Sequence, residues 1–368
     1  MTLVRPGRGQ AFILLAVVLA ISLLAACGGA GGSDKLVVYV SETAGNPDVY
    51  TVDVESGETE RLASGPDSQF SPAWSPDRDR IAYVVQQAPP ARTSGGDASV
   101  GGNRDVFVMR VDGRGPEVRI SPEDGSSGGN QGSPRWNSEA DRLAYVSEAD
   151  GQADVFVAGF MEDETEQVLT SRVTTSETGE MLGDWSPDGQ WLVFSREGGR
   201  DTQGLWIRNP DGVNQVRLTE GADSDPVWSS DGDVIAFVRD DLGNSDIYLV
   251  KPENGEEWRG EIIEERWLHS DQEEHSPAWA PDGDTLAFVT TRDGNAEIYT
   301  ANVNEDAQPL RLTINESADT EPVWSPDGDR IAFVSDLFGE TEILVMDSDG
   351  TNQRRLTNNE VRDHSPDW

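Results

Sequence analysis

The chain has 368 residues, and its 68 Asp and Glu outnumber its 28 Lys and Arg, which gives a formal net charge of −40 at pH 7. This balance excludes nucleic acid as a partner, because that binding depends on Lys and Arg at the phosphates. A basic protein segment, a cationic wall polymer or metal ions would be attracted instead. With one Cys in the sequence, the chain cannot form an internal disulfide.

The N-terminus has the pattern of an export signal. Arg5 and Arg8 precede an apolar run at 11–26 that is short for a membrane span. The run ends in LAAC, which resembles the lipobox of bacterial lipoprotein precursors, a family in which a diacylglyceryl group is attached to the Cys and a dedicated signal peptidase cuts just before it. We predict a signal peptide at 1–26, lipidation of Cys27 and a Gly-rich flexible tether over 27–34. An ordinary signal peptide or an uncleaved anchor is the alternative.

From residue 35 onward the chain repeats one pattern. A Trp is followed by a Pro/Asp/Gly turn and an apolar strand, as in PVWSPDGDRIAFV around Trp324. Seven of the 11 Trp, 43 to 62 residues apart, share this position: Trp74, Trp136, Trp185, Trp228, Trp279, Trp324 and Trp368. Short strands repeated with a period near 45 predict a β-propeller. We expect the repeated Trp side chains to pack between blades.

Four predicted strands follow one another in each repeat, enough for one propeller blade. Segments 35–42, 48–54 and 60–65 match the last three strands of a repeat, whereas the segment ending at Trp368 matches only its Trp strand. Pairing them would close the ring and remove open sheet edges. We therefore predict an all-β fold, a seven-bladed propeller over 35–368. Six blades is the alternative, if one irregular repeat does not form a full blade.

The pattern D-x-x-P-x-W-S-P-D-G-x-x-I-A-F, followed by I-Y and R-R-L-T, resembles the TolB-type propeller repeat of bacterial envelope proteins. The resemblance covers 35–368 and implies an envelope propeller that binds another molecule. TolB proper has an N-terminal α/β domain ahead of its propeller, which we do not expect here because only the tether precedes the first predicted blade.

Two features of the repeat predict local structure. The turn aspartates, Asp188, Asp231, Asp282 and Asp327, are expected to accept backbone N–H bonds within a tight turn. An insertion at 253–267 carries Trp258, Ile262 and Ile263. These apolar side chains are either an exposed docking patch or a cover for a blade edge.

The position five residues before each repeated Trp is acidic in five repeats. It holds Gln69, Gln131, Glu180, Asp223, Glu274, Asp319 and Asp363. In a propeller these residues start the innermost strands, near one mouth of the tunnel, where mutual repulsion would raise the pKa values of the carboxyl groups. A tunnel Ca²⁺ held by their oxygens is one hypothesis. The alternative is that each carboxylate bonds neighbouring backbone and stabilises its own blade.

His275 and His364 each lie four residues before a Trp, beside Glu274 and Asp363. Such side chains can form a transition-metal or acid/base site facing the tunnel. Some polysaccharide lyases with this repeat type use a histidine-rich metal centre, so the resemblance also implies an enzymatic alternative.

The predicted function is a protein-binding or scaffolding module of the cell envelope that requires no cofactor. We expect a monomer, anchored through the lipid on Cys27 to the extracytoplasmic side of a membrane, in the periplasm or at the cell surface, with an envelope protein or basic peptide as partner. The alternatives are a carbohydrate-active or hydrolytic enzyme around His275 and His364, and a structural envelope protein stabilised by Ca²⁺.

Overall fold

The structure is a computed structural model, and it describes residues 33–63, 65–88, 103–113, 115–120, 130–149, 151–160, 168–199, 201–241, 243–253, 258–268, 270–305 and 308–368. The predicted signal peptide, Cys27 and most of the tether lie outside these residues. Within the described ranges, no helix is both long and apolar enough to cross a membrane.

A short 3₁₀ turn at Ser33–Lys35 precedes the first strand. Blade 1 contains β1 (Leu36–Ser41), β2 (Asp48–Asp53) and β3 (Thr59–Arg61), and blade 2 contains β4 (Ser68–Trp74), β5 (Arg80–Gln86), β6 (Arg104–Arg110) and β7 (Val118–Arg119). Blade 3 contains β8 (Gln131–Trp136), β9 (Arg142–Ser147), β10 (Asp154–Phe160) and β11 (Val168–Arg172). Blade 4 contains β12 (Glu180–Trp185), β13 (Leu192–Arg196), β14 (Gly204–Arg208) and β15 (Gln215–Arg217).

Blades 5 to 7 follow the same plan. Blade 5 contains β16 (Asp223–Trp228), β17 (Ile235–Asp241), β18 (Asn244–Pro252) and β19 (Ile262–Arg266). Blade 6 contains β20 (Glu274–Trp279), β21 (Thr285–Thr290), β22 (Glu297–Asn302) and β23 (Leu310–Arg311). Blade 7 contains β24 (Asp319–Trp324), β25 (Arg330–Ser335), β26 (Glu342–Asp347) and β27 (Arg354–Arg355). The last strand, β28 (Asp363–Asp367), belongs to blade 1.

The described strands form seven four-stranded sheets, so the prediction of seven blades is confirmed and the alternative of six is wrong. The predicted ring closure is confirmed as well, since β28 pairs antiparallel with β1. In that pairing Val38 lies opposite Asp367, and Ser41 lies opposite Asp363. The C-terminal strand thereby covers the β1 edge, which would otherwise be open to another molecule.

Apolar side chains of neighbouring blades form the core. The second strand of every blade places one aromatic side chain at the same point, and all seven are buried: Tyr39, Tyr83, Tyr145, Phe194, Phe237, Phe288 and Phe333. One core cluster shows how blades join, because Tyr39 of blade 1 belongs to the same cluster as Val345 of blade 7. Burial between blades explains why the second strands are almost continuously apolar.

The four predicted turn aspartates accept backbone N–H bonds in the turn after the innermost strand, as expected. Oδ1 of Asp327 accepts the Ser325 hydroxyl at 2.6 Å and the Asp329 N–H at 3.1 Å. The bond from Ser325 holds the pKa of Asp327 below its usual range. Gly328 follows with a φ of 76°, a conformation that glycine adopts without steric cost.

A register shift, typical of a β-bulge, interrupts the pairing of the innermost strand in all seven blades. In six blades the residue three before the Trp has a φ between 48° and 54°: Ser71, Ser133, Asp225, Ser276, Glu321 and Ser365. This left-handed conformation is unfavourable for residues other than glycine. Blade 4 differs, because Gly183 stands where the other blades have Pro, and a Cβ there would lie 2.5 Å from the Pro226 carbonyl oxygen.

The predicted insertion in blade 5 is partly a regular strand. Ile262 begins β19, the fourth strand of the blade, and packs against its core. Trp258 packs edge-on against Trp228, with ring centroids 4.7 Å apart. These contacts favour the second alternative from the sequence, that the apolar side chains of the insertion cover the blade.

Candidate binding site in the central tunnel

The five predicted carboxylates start the innermost strands β12, β16, β20, β24 and β28, but their side chains are buried. Glu180 accepts both Nε and Nη2 of Arg196, at 2.9 and 2.6 Å. Asp223 binds Arg239, Glu274 binds Arg292, Asp319 binds Asn315 and Asp363 binds Asn359. These bonds give each carboxylate at least one partner, but one buried oxygen each of Glu180, Glu274, Asp319 and Asp363 accepts no hydrogen bond among the described residues. Their role as ligands for a metal or partner stays a prediction.

Burial is the largest influence on this ring of carboxyl groups. It raises the pKa values of Glu180, Glu274, Asp319 and Asp363 above their usual range. Arg196 and Arg292 oppose the shift at Glu180 and Glu274, but do not cancel it. The expected rise in pKa is therefore present in these four carboxyl groups. Its largest cause is desolvation, whereas the prediction from the sequence was repulsion between the carboxylates.

The structure also has a second set of buried carboxylates, whose ion pairs were not predicted from the sequence. In six blades an acid at or next to the start of the third strand pairs with an Arg of the fourth strand: Asp48 with Arg61, Asp105 with Arg119, Asp154 with Arg172, Asp246 with Arg266, Glu297 with Arg311 and Glu342 with Arg355. Each pair ties the outermost strand to its blade. The repeated D-V-F or E-I-Y, followed by the Arg of R-L-T, was the available signal.

The two predicted histidines have the same local environment. Nδ1 of His275 lies 2.9 Å from the Ser276 hydroxyl, and Nδ1 of His364 lies 2.9 Å from the Ser365 hydroxyl. Burial lowers the pKa of His275, although Glu273 and Asp225 act in the opposite direction. The structure brings neither histidine into a cluster: within the described residues, no group of three or more His, Cys, Asp or Glu side chains could hold a metal ion. The Ca²⁺ and enzymatic alternatives stay predictions.

Charged side chains do line the central tunnel, at a position the sequence analysis did not select. A cavity of about 520 Å³ is bordered by innermost-strand residues from six blades. The residue directly before the Trp is small and apolar in four blades, namely Ala73, Val227, Ala278 and Val323. In the other three it is Arg135, Asp184 and Asp367, and all three line this cavity.

The tunnel carboxylates are desolvated but partly compensated. Burial raises the pKa values of Asp184 and Asp367, while the positive charge of Arg135 acts against the shift at both. Asp184 accepts the Trp185 N–H at 2.8 Å, and Asp367 accepts the Trp74 N–H at 2.7 Å. Glu321 adds a third acid to the lining. One guanidinium and three carboxyl groups can bind a partner that presents polar groups of both signs.

These features describe a seven-bladed propeller whose tunnel has a charged lining. A family model for the TolB beta propeller domain matches residues 133–271 and 266–368, well over half of the chain. The chain belongs to the TolB β-propeller domain family.

Individual relatives agree with the family. The "Protein TolB homolog" of Chlorobium luteolum is 32% identical over 160 residues, which are 43% of this chain and 33% of the relative. The "Tol-Pal system protein TolB" of Francisella tularensis subsp. holarctica is 25% identical over 252 residues, which are 67% of this chain and 52% of the relative. The chain therefore spans about half the length, or less, of these curated relatives.

A solved structure shows the same architecture. An oligogalacturonate lyase in complex with manganese matches with a TM-score of 0.63 and 16% identity, over 85% of this chain and 86% of that chain. At this level of identity the likeness shows the fold alone, because one propeller architecture serves many functions.

Proposed function

We propose that this protein is an exported, lipid-anchored propeller that binds another envelope protein through the charged lining of its tunnel. Family membership supports the coarse role, since the Francisella relative is named for the Tol-Pal system. The observation that carries the binding site is the replacement of Ala or Val by Arg135, Asp184 and Asp367 along one tunnel. Burying charged groups costs free energy that the Ala and Val of the other blades avoid, which favours a functional reason for the substitutions.

The negative charge of the chain bears on how the protein is held in place. A formal net charge of −40 repels an anionic bilayer surface, so the lipid on Cys27 would supply the membrane attachment. The same charge attracts a basic partner segment over a distance and speeds its association. Arg135 would then fix the position of an acidic group of the partner among the tunnel carboxylates.

The test compares partner capture by matched variants of the full-length protein in its own cells. Arg135→Ala and Asp184→Val install the residues that other blades have at this position, Ala73 and Val227. Glu58→Gln removes an exposed charge on blade 1 and is the control. After chemical crosslinking and mass spectrometry, we expect one partner to be retained by the wild type and by the control, and lost in the double tunnel variant. Equal capture by all three proteins would contradict the proposed site.

A further inference from the structure

A second surface lies away from the tunnel, between the turns of blades 4 and 5. We call it the Trp groove: a cavity of about 420 Å³ lined by Trp191, Trp258, Asp188, Asp231, Asp233 and Arg259. Trp258 comes from the insertion of blade 5. Trp191 stands at a repeat position that is Arg in blades 2, 3 and 7, Val in blade 5 and Thr in blade 6. Trp228, the repeated Trp of blade 5, also lines the groove, so two of its three Trp side chains, Trp191 and Trp258, are departures from the repeat.

One cationic side chain of the protein already packs on the aromatic wall of the Trp groove. The guanidinium carbon of Arg259 lies 5.5 Å from the centroid of the Trp191 ring, which is a cation–π contact. Arg259 is exposed, and the contacts found for it in the described residues include no ion pair with the surrounding carboxylates. An arginine side chain thus packs on this aromatic face with no salt bridge to any of the residues that the structure describes.

Carboxylate oxygens remain to pair with a further cation. The hydrogen bonds found for the Asp188 and Asp231 side chains fall on Oδ1, which fixes each turn and leaves Oδ2 as an acceptor. The Asp233 side chain is exposed and accepts no hydrogen bond among the described residues. Three acids against one Arg make the groove acidic, in a chain that is itself strongly acidic. Charge complementarity therefore selects a cationic occupant.

We propose that the Trp groove binds an arginine or lysine side chain of a basic protein segment. The incoming cation stacks on Trp191 and pairs with Asp233 and the Oδ2 atoms of Asp188 and Asp231. Arg259 occupies the same aromatic face in the free protein, so it competes with the ligand. The site is separate from the tunnel, and the proposal does not depend on tunnel binding.

The test is calorimetric titration of the full-length protein with the peptide amide Ac-Gly-Arg-Gly-Arg-Gly. The control ligand carries citrulline in place of both arginines, which keeps the shape and removes the charge. Binding of the arginine peptide that weakens with added salt, with no binding of the citrulline peptide, is the expected result. Equal binding of both peptides, or binding of neither, would overturn the proposal.

Four variants locate the site. Trp191→Thr installs the residue of blade 6 and should weaken binding about five-fold or more, while Arg259→Gln removes the internal competitor and should tighten binding about five-fold. Asp233→Asn should weaken binding, whereas Asp329→Asn, at the same turn position of blade 7, should not. Asp233 and Asp329 are both exposed, so comparing these two variants locates the binding site even where Trp191→Thr impairs folding. The single tunnel variant Arg135→Ala should bind normally. Unchanged affinity in both Asp233→Asn and Arg259→Gln would overturn the assignment.

Discussion

The backbone N–H of Trp74 donates to Oδ2 of Asp367, 293 residues later in the chain, at a distance of 2.7 Å. This bond joins blade 2 to the strand that closes the ring. At Asp184 in blade 4 burial raises the pKa, while Arg135 and the backbone N–H groups of Trp185 and of Trp228 in blade 5 act against the shift. Trp74 and Trp228 are also repeated Trp residues whose buried indole N–H has no acceptor among the described residues.

The indole N–H groups of the other five repeated Trp residues all have an acceptor. The indole N–H of Trp136 donates to the Ala73 carbonyl at 3.2 Å, and Trp185, Trp279 and Trp324 donate to the equivalent carbonyl of the preceding blade. Trp368, whose preceding blade is blade 7, donates instead to the Asp34 carbonyl at 2.8 Å. The two Trp residues without this indole bond among the described residues, Trp74 and Trp228, each follow a blade whose residue directly before the Trp is an Asp, namely Asp367 and Asp184.

The indole hydrogen bonds predict that Trp→Phe lowers the free energy of unfolding by different amounts at different repeat positions. Trp136→Phe loses both ring area and a hydrogen bond, whereas Trp228→Phe loses ring area alone. We expect Trp136→Phe to lower the free energy of unfolding by about 1 kcal/mol more than Trp228→Phe. Urea denaturation of the two variants and the wild type measures the difference. Equal losses would show that the indole bonds between blades contribute nothing measurable.

The buried ring carboxyls predict an unusual pH dependence. Burial raises the pKa of Asp319, so its contribution to stability is complete below the ordinary Asp pKa of about 3.9 and is lost as pH rises through the raised value. Asp319→Asn cannot ionise. Its stability relative to the wild type should therefore improve as the pH rises from about 4, as measured by urea midpoints across a pH series.

Asp327 supplies the control of opposite sign. The Ser325 bond lowers its pKa, so its contribution is present above the ordinary Asp pKa and is lost as pH falls through the lowered value. Asp327→Asn should be most destabilising near neutrality and progressively less so in acid. If both variants showed the same trend with pH, the assignment of the two environments would be wrong.

The ion pair of the outer strands predicts a large single-residue effect. Glu297 is fully buried, and its oxygen lies 2.9 Å from Nη2 of Arg311. Arg311→Ala leaves that carboxylate without its cation and should cost about 3–5 kcal/mol in the free energy of unfolding. Arg362→Ala is the control, since the Arg362–Glu340 pair is exposed on both sides and should be worth less than about 1 kcal/mol. Similar losses in both would contradict a buried structural pair.

Lipid attachment has its own test, because Cys27 lies outside the described residues. Cys27→Ser in the full-length protein should abolish incorporation of labelled palmitate. It should also leave the apolar segment at 11–26 uncleaved, so the variant keeps the higher mass of the precursor. The wild type, expressed in parallel, is the reference for both readouts. A Cys27→Ser protein that still incorporates palmitate would contradict lipid attachment at this residue.

The sequence predicted the fold well because its strongest signals are physical requirements of a propeller. The period of the Trp residues gave the number of blades, and the unmatched segments at the two ends gave the closure between β28 and β1. The starts of five innermost strands were also placed correctly, at Glu180, Asp223, Glu274, Asp319 and Asp363.

The direction of the side chains could not be predicted, because the bulge is invisible in the sequence. Asp363 and Asp367 are four residues apart, so a regular strand would point both to the same face. The left-handed Ser365 between them changes the alternation. Asp363 is thereby buried in its blade, and Asp367 lines the tunnel instead. The charged residues directly before the Trp were visible in the sequence, but nothing marked that position as the tunnel wall.

Site-specific photocrosslinking tests the central proposal most directly. A benzophenone amino acid replaces Ser133, an exposed residue of the tunnel lining, in the full-length protein in its own cells. The control replaces Val213, which is 76% exposed on the outer turn of blade 4. Tunnel binding predicts one adduct of defined mass from position 133, lost with Arg135→Ala and Asp184→Val, and absent from position 213. No adduct at 133, or the same adduct at both positions, would contradict it.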